Sequence, residues 1–303
     1  MAASVSVAAL LLSDSRFPAG GHAHSGGVEP AVTAGTVTDL ASLEAFLRGR
    51  LRTSGLVAAG IAAAACARSA GERRAAERKP ALATDDPARK RGTAGARDAG
   101  ESDPALAADD PARKRATADQ RRAGDGNPGP GNWDQRLVPY DGFDFWAELD
   151  AEADARTPSP AQRAASRRQG RALLRAARIA WPEDCGLGGL ADFAAGSGAG
   201  GAHHAVVLGG AAAAAGCDAA EAARIGAYQS VAGAASAAVR LLALDPMQAS
   251  AVLARLARDV DKIAERAAAA AYGPLDELPC PSAPALDLLA EAHIRAEVRL
   301  FES

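Results

Sequence analysis

A chain of 303 residues that is 48% hydrophobic but only 4% aromatic must build its core from small and aliphatic side chains. Its 81 alanines exclude an all-β fold, because alanine is the best helix former and is depleted from strands. A net charge of −3 argues against a nucleic-acid binder, which carries a strongly basic domain.

Residues Val5 to Leu12 are mostly apolar, yet no Lys or Arg precedes them, so they do not read as a secretory signal. Thr38 or Asp39 is placed to cap a helix carrying Leu40, Leu43, Phe46, Leu47 and Leu51 on one face, and a second helix is predicted from Gly55 to Arg68. Ala-rich stretches such as Leu56 to Ala67 are too short to span a bilayer. Residues 71–130 hold 13 Lys and Arg and 11 Asp and Glu, with Leu82 and Leu106 as the only large apolar residues. Such a segment buries too little apolar surface to offset its ordering entropy, so 70–135 is predicted to be a disordered insertion in one helical domain formed by 1–69 and 136–303. It contains a duplicated piece, Pro80 to Arg91 and Pro104 to Arg115, too polar to be a solenoid repeat.

Beyond the insertion, Ser159-Pro160-Ala161-Gln162 reads as a capping box with proline at the first helical position, opening a helix through Leu173, Leu174 and Ile179. Asp218 and Glu221 open another, running to about Leu244. Asp245-Pro246 opens a third that stops at Gly273-Pro274, and a last helix is predicted from Pro284 to about Val298. Period-two alternation is absent, so the predicted fold class is all-α.

Few motifs carry chemistry. Gly196-Ser-Gly198-Ala-Gly-Gly201 fits G-x-G-x-x-G but lacks the preceding strand and βαβ context, and reads as an interhelical loop. There is no G-x-x-x-x-G-K-[ST] and no G-x-S-x-G, so no catalytic residue and no cofactor is predicted. Four of the five histidines fall in two pairs, His22-x-His24 and His203-His204. Imidazole is a common metal ligand, but neither pair has cysteine or the HExxH pattern beside it, which leaves His22 and His24 as weak metal candidates only. Cys66, Cys185, Cys217 and Cys280 lie far apart with no C-x-x-C pair, as in a reducing compartment. The default reading is a cytoplasmic protein with neither membrane nor nucleic-acid partner.

Four stretches together resemble the urease accessory protein UreF family. Leu10 to Glu29 is similar to its amino-terminal signature, with Pro18, Gly20, Gly21, Ser25, Gly27 and Glu29 on matching positions and histidines in place of two aromatics. His203 to Gly209 is similar to a His-x-apolar-apolar-Gly step, and Ser166 and Gly170 to a mid-chain Ser-x-x-x-Gly step. Ser236 to Gln248 is similar to a helix ending in Ala-Val-Arg-Leu. The fourth stretch, Pro284 to His293 with Arg299-Leu-Phe-Glu-Ser303, looks like the family's carboxyl end.

The resemblance implies an all-helical, non-catalytic, dimeric scaffold. It would work with UreD (also called UreH) and the GTPase UreG to insert nickel into apo-urease. It also implies that Pro18, Gly20, Ser25, Gly27, Glu29, His293, Arg299, Leu300, Phe301 and Ser303 serve partner binding, the last five through a tail whose Leu-Phe pair has no reason to be exposed in a free monomer; the alternative for Leu300 and Phe301 is folding back onto the chain's own core. The alternatives are a small helical metalloprotein using the four paired histidines and a generic helical adaptor.

Overall fold

The computed structural model describes residues 6–14, 17, 24–83, 142–297 and 299–301. The chain divides into two compact units, 1–78 with 140–303, and 79–139; only residues 79–83 of the second are described. Eleven α-helices follow one another among the described residues, with no strand: α1 (Val7–Ser13), α2 (Val28–Thr33), α3 (Leu40–Arg50), α4 (Leu56–Ala83), α5 (Gly142–Ala155), α6 (Pro160–Ala180), α7 (Cys185–Gly196), α8 (His204–Ala214), α9 (Ala219–Leu242), α10 (Pro246–Ala270) and α11 (Pro284–His293). The fold is all-α.

Local chemistry sets most helix starts. Asp39 and Ser42 form a reciprocal box at α3, and Asp218 and Glu221 do the same at α9, each answering backbone N–H groups that lack intrahelical acceptors. Asp245 caps α10 with Pro246 in the first turn. At α6, Ser159 accepts from Gln162 N–H as predicted, but the reciprocal partner is not Gln162. Glu291 of α11 accepts from Ser159 Oγ at 2.5 Å and from Ala161 N–H at 2.9 Å, so a tertiary contact completes this cap. The carboxylate lies against the positive end of the helix dipole, and the Ser159 hydrogen bond holds it below its ordinary value.

Several boundaries differ from the sequence reading. Helices α3 and α4 do not break at Gly55 but run together through one π-helical turn, Leu51–Gly55. Helix α4 continues to Ala83, so the boundary expected between residues 69 and 70 falls inside a helix of good helix formers. The remainder of the expected insertion, 84–135, lies outside the described residues. Helix α11 stops at His293 rather than near Val298, because the following residues turn back onto the fold.

Two apolar clusters flank α4. Ile61, Ala62 and Ala65 pack with Trp146, Leu149, Leu173, Leu187, Leu190 and Val206–Leu208. Leu56, Ala59 and Ala63 pack with Val28, Leu43, Leu47, Ala223, Ala227, Val231 and Leu256. A helix apolar on both faces is a core helix. The stretch Leu40–Gly71 is apolar and long enough to cross a membrane, but 67% of that window is buried by the rest of the fold. Close approach explains the small residues: a Cβ on Gly209 of α8 would fall 2.2 Å from the Ala62 carbonyl oxygen, so only glycine lets α8 lie against α4. None of the four cysteines forms a disulfide; Cys66 and Cys217 lie in the interior and Cys185 and Cys280 on the surface.

Candidate functional site

The N-terminal signature and the C-terminal segment meet at Glu29. Gly27, in the left-handed region at φ 87°, turns the chain into α2, which places Glu29 in its first turn, only 6% exposed. The Glu29 carboxylate accepts the Leu300 N–H at 2.7 Å and the Phe301 N–H at 2.8 Å. His293, buried at the end of α11, places Nε2 3.2 Å from the Phe301 carbonyl and 3.4 Å from Glu29 Oε2. A single Nε2–H can be shared between those two acceptors, which closes a ring of contacts over the turned-back chain. Arg240 of α9 lies over the Phe301 ring at 4.4 Å from its centroid, a cation–π contact.

The tail therefore does not hang free as one apolar pair. Phe301 is 8% exposed and folded onto the chain's own body, whereas Leu300 is 73% exposed and Arg299 faces solvent. The two apolar side chains expected together at a partner interface part company here: Phe301 packs on the chain's own body, as in the fold-back alternative, and Leu300 does not. Two charge-assisted hydrogen bonds and the Arg240 contact give its ring a seat that sequence spacing does not reveal. Ser25 is buried, and its hydroxyl has no hydrogen-bond partner among the described residues. Pro18, Gly20, His22 and Ser303 lie outside the described residues.

A second polar cluster joins α5, α6 and the start of α8. Arg167 pairs with Asp150 at 2.8 Å and Asp154 at 2.7 Å and also donates to the Gly201 carbonyl. Asp150 accepts the His203 N–H at 2.8 Å. His203 is the N-cap residue of α8; its Nε2 lies 2.8 Å from Asp154 and its Nδ1 3.0 Å from Ser166 Oγ, which itself accepts the His204 N–H. With its proton on Nε2, a neutral His203 donates to Asp154 and accepts the Ser166 hydroxyl at Nδ1, a tautomer that satisfies both contacts. Burial pushes its pKa below the ordinary value despite the carboxylates, so the neutral form is favoured. Burial works the other way on Asp154, but the hydrogen bonds from His203 and Arg167 and the Arg167 charge outweigh it and leave that carboxyl lowered.

Potential ligand atoms of Asp150, Asp154 and His203 all lie within 4.8 Å of one another, the spacing of a metal site. Arg167 already sits between the two carboxylates and neutralises them, so this cluster fits a polar clasp between helices better than a cation site. The Ser-x-x-x-Gly step falls here: one turn past Ser166, a Cβ on Gly170 would meet the Ala202 carbonyl oxygen at 2.1 Å. The Gly196–Gly201 run is the loop between α7 and α8.

Of the four paired histidines, His22 lies outside the described residues, His203 belongs to the clasp, and His24 and His204 line a cavity of about 740 Å³ with Arg50, Ser54, Ser166 and Gln169. Burial, helped by the neighbouring His24, pushes His204 down to about 4, so it is neutral at physiological pH. Sequence reasoning missed Asp150, Arg167 and Glu291. The only available signal, polar residues at helical spacing, looks the same as that of a solvated helix face.

A family model described as UreF matches residues 136–257, which include the clasp and α9. A urease accessory protein UreF from Mycolicibacterium vanbaalenii is 38% identical over 97% of each chain. Proteins of the same name from Mycobacterium sp. (strain JLS) and Mycobacterium tuberculosis are 37% and 35% identical, again over 97% of each chain. At that identity and coverage, the chain belongs to the UreF family of urease accessory proteins.

Proposed function

We propose that this chain is a non-catalytic scaffold of urease maturation. In this reading it assembles as a homodimer with UreD (UreH) and UreG on apo-urease, where GTP hydrolysis by UreG accompanies nickel insertion. The observation that carries the reading is the divided tail. Glu29 fixes two consecutive peptide N–H groups, and so holds Phe301 inward while turning Leu300 and Arg299 outward. An apolar side chain held at the surface by a buried clamp is pre-organised for a partner, since little further ordering cost falls on binding. Family membership supports urease as the target. The chain itself has no phosphate-binding lysine motif, so the nucleotide belongs to UreG in this scheme.

The test is co-purification with a UreD homologue from the same source. Truncation after Val298, or Leu300→Asp alone, is expected to leave a helical protein that no longer retains UreD, and urease that stays inactive. Retention equal to that of the unaltered chain would remove the tail from the interface. Loss of helical circular dichroism on truncation, together with full retention by Leu300→Asp, would assign the tail to the core instead.

A further inference from the structure

The clasp contains an ordered chain of three side chains. Ser166 Oγ lies 3.0 Å from His203 Nδ1, and His203 Nε2 lies 2.8 Å from Asp154 Oδ1. Arg167 holds the other oxygen of that carboxylate, Oδ2, at 2.7 Å, which fixes its plane. Burial keeps His203 neutral at physiological pH despite the carboxylates, so with its proton on Nε2 the free lone pair of Nδ1 faces the Ser166 hydroxyl. Other helical serines are engaged differently. Ser13, Ser230 and Ser250 each donate to a carbonyl of the preceding turn. Ser166 turns away from its own helix, toward an imidazole 37 residues further along. Its Oγ also accepts the His204 N–H at 3.1 Å, at the positive end of the α8 dipole, where negative charge on oxygen is favoured. The side chain is half-buried and lines the cavity. Leu208 and Ala205 there offer apolar contact, and the Gln162 and Gln169 amides offer donors for a carbonyl oxygen. A hydroxyl, a base within hydrogen-bond reach and a third group that orients the base are the parts of an activated nucleophile.

We propose that Ser166 is such a nucleophile and is acylated by small carboxylic esters, with His203 as the base and Asp154 as its positioning residue. In that step Ser166 Oγ bonds to the acyl carbon and its proton passes to His203 Nδ1. The ester C–O bond breaks, and the departing oxygen takes the proton from His203 and leaves as the alcohol. The imidazolium formed in between rests on Asp154. The product is an acyl-serine, a covalent modification that goes beyond the scaffold role proposed above and does not depend on it.

The probe is p-nitrophenyl acetate, added to the full chain at neutral pH and read by p-nitrophenol release and peptide mass spectrometry. An acetyl group is expected on Ser166 and not on Ser230, which lines the same cavity, is also half-buried, and donates to the Ala227 carbonyl. Ser166→Ala should lose the acetylated peptide. His203→Gln keeps the hydroxyl and should slow its acetylation by about a hundredfold or more. Asp154→Asn, at the half-exposed edge of the clasp, is the second variant. It removes the charge that selects the Nε2–H tautomer, and should slow acetylation by a similar factor with helical circular dichroism retained. Absence of acetyl on Ser166, acetylation of Ser166 and Ser230 at equal rates, or an unchanged rate in folded Asp154→Asn would overturn the assignment.

Discussion

Two buried acids, Asp150 and Glu29, are stabilised by different means. Asp150 faces a side-chain cation, Arg167, and accepts one peptide N–H, within a network tied to three successive parts of the helical body. Glu29 has no arginine beside it among the described residues. It is satisfied by two peptide N–H groups of a segment 271 and 272 residues further along, with His293 beside it. A carboxylate matched by a cation within the core is as permanent as the core. One matched by the backbone of a folded-back segment is satisfied only while that segment is docked. The clasp therefore belongs to the architecture, and the Glu29 clamp is the releasable contact.

The strongest way to break this contrast is at the clasp. Arg167→Met keeps the volume but leaves Asp150 buried and uncompensated, and is expected to cost about 3–5 kcal/mol in global unfolding by urea. A loss below about 1 kcal/mol would show that water or a neighbour takes over and that the clasp is no more structural than the clamp. Glu29→Gln should have a smaller and local effect. The amide oxygen can still accept, but its NH2 group meets the second peptide N–H, at a cost of about 1–3 kcal/mol. Hydrogen exchange should quicken at Leu300 and Phe301 and stay unchanged in α5 and α6. Equal acceleration in both regions would merge the two sites into one cooperative unit.

The smallest effect is on pH dependence. His203 and His204, at the start of α8, both lie below the ordinary imidazole value in the folded chain, His204 at about 4. The unfolded chain gains these protons near pH 6.5 and the folded chain only at lower pH. Their contribution is thus complete above about 6.5 and is lost as pH falls toward 4. For His204 this amounts to about 1–2 kcal/mol at pH 5, a drop of a few degrees in melting temperature that His204→Gln should largely abolish. A variant with the same pH profile as the unaltered chain would locate the titration elsewhere.

Much of the helical frame was legible because its punctuation is local. Asp39, Ser159, Asp218 and Asp245 each bond within two to three residues, and those four helices start where their caps stand. The frame became illegible where a boundary is set across the fold. Helix α11 ends early because His293 reaches the Phe301 carbonyl, and α6 is capped by Glu291 from 132 residues away. Helix α5 escaped notice because its acidic residues, Asp144, Glu148, Asp150, Glu152 and Asp154, hide the buried Trp146 and Leu149 between them. Of the site residues, Glu29, His293 and Phe301 were picked out by resemblance, but the pairing among them was not. No pattern within either segment encodes which acid will accept which distant peptide.

The separation between Glu29 and its two donors has a consequence for the order of synthesis. Helix α2 leaves the ribosome early, and its acid must wait in a nascent chain for peptide groups made 271 residues later. Until then water takes the place of those peptide groups at the carboxylate. Long-range closure of this kind comes late, after the local helices have formed. A product cut short before residue 300 would fold most of its helices and still lack this one contact.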